Sequence, residues 1–156
     1  MGAAEKAAYL IGVDHRIQYT NGGCGPEWTL DIQQFEDYLV ERATTLDADL
    51  MAEEFSEEAV RRSNATGCTV RDAARRAGRK HLFLDPDTAE RAEAGVSTHD
   101  QREREWLRRL RNSEARRPLI VCGDGHVDSF AVRLGAAGFQ VSVLSCNWGN
   151  DWALKD

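Results

Sequence analysis

Apolar residues along this chain follow two alternating rhythms. Short runs of strand length occur at Ala8–Val13, Leu50–Ala52, His81–Leu84, Leu119–Cys122 and Phe139–Leu144. Between them, apolar positions recur every three or four residues. Ile32, Phe35, Leu39 and Ala43 place a helix over roughly 30–45. Ser56 is a candidate N-cap ahead of Glu57-Glu58 for a helix to Arg62, and Thr69 caps Val70–Ala77, which Gly78 stops. Ala89–Ala94 ends at Gly95, and Val127–Ala136 ends before Gly138. Asp100–Asn112 is strongly charged, with Trp106, Leu107 and Leu110 as its apolar stripe. Strand and helix thus alternate almost from end to end. The expected fold is a single three-layer α/β domain, with a mostly parallel sheet of about five strands covered by helices on both faces.

Composition narrows the picture only a little. The 156 residues are 42% hydrophobic and 29% charged, ordinary for a globular chain long enough to bury a core. A net charge of −6 argues against a nucleic-acid-binding face. The arginine pairs Arg75-Arg76, Arg108-Arg109 and Arg116-Arg117 read as solvated faces near acidic neighbours. No stretch is apolar enough to span a membrane, and no leader is evident, so a cytoplasmic location with reduced thiols is expected. Cys24, Cys68, Cys122 and Cys146 form no Cys-x-x-Cys pair, and Cys122 reads as a small core residue.

The chemistry gathers where strands end. Two apolar runs close on Gly-x-x-His: Gly12-Val13-Asp14-His15 and Gly123-Asp124-Gly125-His126. The second run ends in Glu53-Glu54 and the third in Asp85-Pro86-Asp87. In an open parallel sheet these carboxyl ends form one rim, which is where ligands bind. Imidazole plus carboxylate can hold zinc, manganese or iron, or perform acid–base work. Successive strand residues face opposite sides, so only one of Glu53 and Glu54 can face the site; the other is expected to cap a helix or meet solvent. His81 begins its strand and reads as structural, and His99 as solvated. Arg102, Glu103, Arg104 and Glu105 read as exposed i,i+4 pairs, with one arginine able to reach over the rim.

The order Gly12-x-x-His15, Glu53 or Glu54, Arg102 or Arg104, then Gly123-x-x-His126 resembles a broad superfamily. It includes the Tiki and TraB proteins, erythromycin esterase and the ChaN haem-binding lipoprotein. The resemblance spans about Tyr9 to Leu144. It implies a metal-assisted hydrolase site in Tiki-like members, esterase chemistry in the macrolide-inactivating ones, and haem or iron binding in ChaN-like ones. A weaker resemblance links Asp85-Pro86-Asp87 and Gly123-Asp124-Gly125-His126-Val127-Asp128 to haloacid-dehalogenase-type phosphatases. It implies a nucleophilic Asp85, an acid–base Asp87 and magnesium.

The expected function is metal-assisted hydrolysis of an ester, amide or related bond in a small molecule or peptide, with a water nucleophile. His15, Glu54, His126 and Arg102 are the candidate catalytic residues. His15, Glu53, Glu54 and His126 are the candidate ligands of a divalent metal (Mn, Zn or Fe), and Asp85, Asp124 and Arg91 the candidate substrate-binding groups. The glycine-rich Thr20–Pro26 stretch is expected to be a loop beside His15 that covers the substrate. A tail from about Asn147, bearing Trp148 and Trp152, is expected to pack on the body. The tail and the charged helix offer contacts to a second copy or a protein partner. The alternatives are a non-catalytic metal, haem or small-ligand binding module, and the phosphatase.

Overall fold

The structure, a computed structural model, describes residues 5–20, 29–63, 65 and 67–148. Strand β1 spans Lys6–Val13 and is followed by a 3-10 turn at His15–Gln18 and a two-residue strand, β2 (Tyr19–Thr20). Helix α1 (Thr29–Thr45), β3 (Leu50–Glu53), α2 (Glu57–Arg62), β4 (Gly67–Cys68), α3 (Thr69–Ala77) and β5 (Lys80–Phe83) come next. Helices α4 (Thr88–Ala94) and α5 (His99–Ser113), strand β6 (Pro118–Gly123), a 3-10 turn at Asp124–His126, α6 (Val127–Ala136) and β7 (Phe139–Trp148) complete the order. Residues 21–28, with most of the expected covering loop and Cys24, and residues 149–156, with Trp152, lie outside the described residues.

The main sheet has five strands in the order β5-β3-β6-β1-β7, all parallel. Strands β2 and β4 form a separate antiparallel pair. Every expected strand is present. The last one runs on past Leu144 to Trp148, whose ring lies 4.7 Å from Phe35 and 5.7 Å from Tyr38. Part of the expected tail is therefore the end of an edge strand.

Strand alternation divides the core in two. Ala8, Leu10, Leu50, Ala52, Ile120 and Cys122 meet Trp106 and Leu110 of α5 and Phe130 and Leu134 of α6. On the other face, Tyr9, Ile11, Val13, Met51, Leu119 and Val121 meet Phe35 and Leu39 of α1 and Val70, Ala73 and Ala74 of α3. The chain is thus a three-layer α/β fold. Neighbouring strands β1 and β6 send their connections to opposite faces, α1 to one and α6 to the other. A crevice opens between their carboxyl ends.

The helix signals behave as their chemistry requires, with one correction. Ser56 caps α2 by accepting from the Ala59 N–H at 3.1 Å, and Gly78 and Gly95 end their helices in the left-handed conformation. Thr69 does not cap α3. Cys68 occupies that position, and the Thr69 hydroxyl donates to the Ile17 carbonyl at 2.7 Å, tying α3 to the turn that carries His15. Asp87 is the N-cap of α4, closed into a capping box with Glu90.

Gly12 and Gly123 are required by close approach rather than by turn conformation. A Cβ on Gly12 would lie 2.6 Å from Val127 Cγ2 and 2.7 Å from Asp124 Oδ1. One on Gly123 would lie 2.7 Å from His15 Nε2 and 3.2 Å from Glu54 Oε1. Gly12→Ala is therefore expected to destabilise the chain by about 1–3 kcal/mol. Gly135 of α6, with open space where its Cβ would be, is the control. Gly135→Ala is expected to stabilise by about 0.5–1 kcal/mol. Urea unfolding of the two variants checks both signs.

Candidate active site

Three adjacent strands deliver the central residues. In the register Gly12 lies beside Cys122, Val13 beside Gly123, and Glu53 beside Val121. The residues just past these strands are therefore neighbours: His15 after β1, His126 after β6 and Glu54 after β3. Glu54 is the hub. Its Oε1 accepts from the Gly123 N–H at 2.8 Å and lies 3.5 Å from His15 Nε2. Its Oε2 accepts from an Arg102 amino group at 2.5 Å and lies 3.4 Å from His126 Nε2. Both Gly-x-x-His histidines thus turn the same ring nitrogen toward one buried carboxylate.

Helix α5 brings the rest. His99, Arg102, Glu103, Trp106 and Leu110 recur at helical spacing and form a single face. Arg102 bridges Glu54 and Asp85, donating from Nε to Asp85 Oδ1 at 3.0 Å. Burial opposes its charge, but the hydrogen bond and charges of Asp85 and Glu54 outweigh that and raise its pKa. Asp85 also accepts from Trp106 Nε1 at 3.0 Å and from Arg91 at 2.5 Å. Glu103, fully buried, accepts from Ser129 Oγ at 2.6 Å and meets His126 Nδ1 at 2.8 Å and His99 Nε2 at 2.9 Å. The His99 and His126 rings stack with centroids 3.6 Å apart.

The exposed-pair reading of this helix holds for Arg104, which pairs with Asp100; Arg102 is the arginine that reaches the rim, and the reading fails for Glu103, which is buried. His99 is half exposed yet held by Glu103 and His126, so it is no freely solvated side chain. The signal was available in the sequence: both Glu103 and Arg102 share the turn spacing of Trp106 and Leu110.

Glu53 and Glu54 do face opposite sides, but neither meets solvent nor caps a helix. Glu53 points to the α1–α3 side and is fully buried. It accepts from Gln18 Nε2 at 3.1 Å and from Cys68 Sγ at 3.4 Å, and meets His81 Nε2 at 2.5 Å. Burial, and then the charge of Glu53, push the Cys68 thiol well above its ordinary pKa. Gln18 continues the chain to the rim, its Oε1 lying 2.8 Å from His15 Nδ1. Neither Gln18 nor Cys68 was singled out by the sequence reading, because neither carries a motif.

A pocket of about 170 Å³ opens at this rim, lined by His15, Gln18, Glu54, Phe55, Ala59, Asp85 and Arg102. It shares Ala59 and Asp85 with a neighbouring groove of about 350 Å³ that includes Ser56, Arg62, Thr88 and Arg91. Asp124 lies aside: its carboxylate accepts from the Asn147 N–H at 2.7 Å and covers Gly12. Asp14 turns to Arg16, whose hydrogen bond lowers its pKa.

Two groups of side chains among the described residues could hold a metal ion: Glu53–Cys68–His81 and His99–Glu103–His126. The set His15–Glu54–His126 does not gather as tightly, and both Glu54 oxygens already serve the Gly123 N–H and Arg102. A guanidinium bound to that carboxylate repels a second cation, so these three residues fit a divalent metal poorly. Comparison of the chain with protein families, with curated proteins and with solved structures returned no match.

Asp85 accepts from three side chains on two helices, Arg91 of α4 and Arg102 and Trp106 of α5, so Asp85→Ala is expected to cost about 2–4 kcal/mol by stranding Arg102 and Trp106. Arg91→Ala, which removes its more exposed partner, is expected to cost less than about 1 kcal/mol. Equal losses in denaturant titrations of the two variants would contradict this network.

Proposed function

We propose that the rim pocket is the active site of a hydrolase that cleaves an ester, amide or related bond with water as nucleophile, and that His15 is the general base. The observation that carries this reading is the way the tautomer of His15 is set. A carboxylate only accepts hydrogen bonds. Glu53 therefore turns the amide nitrogen of Gln18 toward itself and leaves its oxygen for His15. His15 then donates from Nδ1, and in the neutral ring the lone pair is on Nε2, which lies 3.5 Å from Glu54 Oε1, beyond hydrogen-bond length for a charged pair. That nitrogen lies in a pocket-lining ring whose side chain is 48% exposed. A base with an oriented lone pair beside a water-accessible cavity is what water activation requires.

Arg102 supplies a fixed positive charge at the pocket wall, held in place by Glu54 and Asp85. In this role it attracts the carbonyl oxygen as negative charge develops there. Glu54 anchors Arg102 and the Gly123 backbone, and His126 stands behind it, braced by Glu103. A pocket of about 170 Å³ suits a small polar acyl group, with the adjoining groove for the leaving part. The metal-assisted form of the reaction is not favoured at Glu54, because Arg102 occupies the charge that an ion would need.

The competing readings have less support. Haem exceeds this pocket, since even drug-sized ligands occupy roughly 300–1,000 Å³. For the phosphatase, Asp85 would have to be a free nucleophile, yet it is held by Arg91, Arg102 and Trp106. Asp87, the acid–base of that scheme, caps α4.

Against a panel of short-chain activated esters and amides, His15→Ala is expected to lower kcat/KM by about 10²–10⁴ with the fold intact by near-UV circular dichroism. Gln18→Met removes the tautomer device while keeping a side chain of similar length in the pocket wall, and is expected to cost about 10–100-fold, chiefly in kcat. Wild-type turnover that His15→Ala leaves within a factor of about two, or no turnover across the panel, would refute the assignment.

A further inference from the structure

Behind the pocket, on the α3 side of the sheet, a sulfur, an imidazole nitrogen and a carboxylate oxygen converge. Glu53 comes from the end of β3, His81 from the neighbouring strand β5, and Cys68 from the N-cap of α3. The three donor atoms lie within 4.8 Å of one another. Phe55, Val60 and Phe83 close the surroundings, the Phe83 ring meeting His81 edge-on at 4.5 Å. The hydrolytic reading uses Glu53 only through Gln18 and leaves Cys68 and His81 unexplained.

The charge balance of the cluster is unusual. Glu53 is 0% exposed, and a buried carboxylate costs several kcal/mol unless a cation accompanies it. Among the described residues its ion-pair partner is His81; the Arg71 guanidinium acts on Glu53 and Cys68 through space but forms its ion pair with Glu57. An imidazole carries positive charge only when protonated. Cys68 Sγ and His81 Nε2 are both aimed at the same oxygen, Glu53 Oε2. Burial and the Glu53 charge hold Cys68 as a thiol in the metal-free chain, opposed only in part by the backbone N–H of Arg71 at the amino end of the nine-residue helix α3.

We propose that Glu53, Cys68 and His81 form a binding site for a divalent metal ion of the zinc class. Binding releases to solvent the Cys68 thiol proton and any proton on His81 Nε2. Thiolate, carboxylate, neutral imidazole and a doubly charged ion then sum to zero, so the buried charge is balanced without protonation. A mixed sulfur, nitrogen and oxygen set suits zinc or cobalt, whereas magnesium and calcium take oxygen ligands. Three protein ligands leave a fourth position for water. The other candidate group is less suited. His99 Nε2 and His126 Nδ1 also meet on one oxygen, Glu103 Oε2, but their rings stack 3.6 Å apart and within 15° of parallel, so an ion between them could not lie in both ring planes. This site shares Glu53 with the hydrolase reading, which uses its other oxygen through Gln18, and its test reads metal rather than turnover.

The test uses the full chain, reduced, stripped with chelator and titrated with Co²⁺ as a spectroscopic stand-in for Zn²⁺. A near-ultraviolet thiolate-to-cobalt charge-transfer band is expected to saturate at one ion per chain. It should vanish in Cys68→Ser and His81→Ala and persist in His15→Ala and His99→Ala. In the unaltered chain, which needs no variant to fold, Zn²⁺ is expected to slow alkylation of Cys68 under mild denaturant at least tenfold. It should leave the exposed Cys146 unchanged, with peptide mapping separating the thiols. No thiolate band and no protection of Cys68 with metal in excess would overturn the proposal. So would a band that survives Cys68→Ser, or one that His99→Ala removes and His81→Ala leaves.

Discussion

The site exists because two neighbouring strands each carry a glycine at their carboxyl end, Gly12 next to last in β1 and Gly123 last in β6. Gly12 lets the turn after β6 settle on β1, with Asp124 and Val127 where its Cβ would stand. Gly123 returns the favour, admitting the His15 ring and the Glu54 carboxylate and donating its own N–H to Glu54. The packing is reciprocal: each Gly-x-x-His motif makes room for the other. Strand spacing of about 4.8 Å sets how far apart the two loops start, and only missing Cβ atoms bring them closer. The hub carboxylate, both histidines and Arg102 all depend on that approach.

The second constraint is electrostatic. Glu53, Glu54 and Glu103 are all buried, and each needs a set of donors. Glu54 takes Arg102 and a backbone amide, Glu103 takes Ser129 and two imidazoles, and Glu53 takes Gln18, Cys68 and His81. The carboxylates therefore link all four histidines of the chain into one connected network around the sheet's carboxyl edge. Because a carboxylate accepts and does not donate, each one dictates the orientation of what it holds. This is how Glu53, outside the pocket, orients the Gln18 amide whose oxygen meets His15 Nδ1.

The elements were legible because their signals are local. Runs of β-rich residues, helical spacing and the glycine stops at Gly78 and Gly95 act over a few residues, and the layering follows from strand–helix alternation. His15, Glu54, Arg102 and His126 were legible as rim residues because each follows a strand or lies on a helix near one. Glu103 and His99 were misread because charged residues at i,i+4 spacing are normally solvated. Nothing within α5 tells an outward turn from one docked on a sheet end. Cys68, Gln18 and His81 carry no motif, and the partners that give them meaning come from β3 and the turn after β1.

By itself, then, the order of residues determined the strands, the helices, a parallel three-layer arrangement and a polar rim at its carboxyl edge. These rest on period, capping and burial, which a chain expresses locally. Only the tertiary structure decided strand order, and with it which rim residues meet. The insertion of β6 between β3 and β1 placed His126 beside Glu54 and His15. Contacts between elements far apart in sequence are set by how whole faces pack, and no local spacing encodes them.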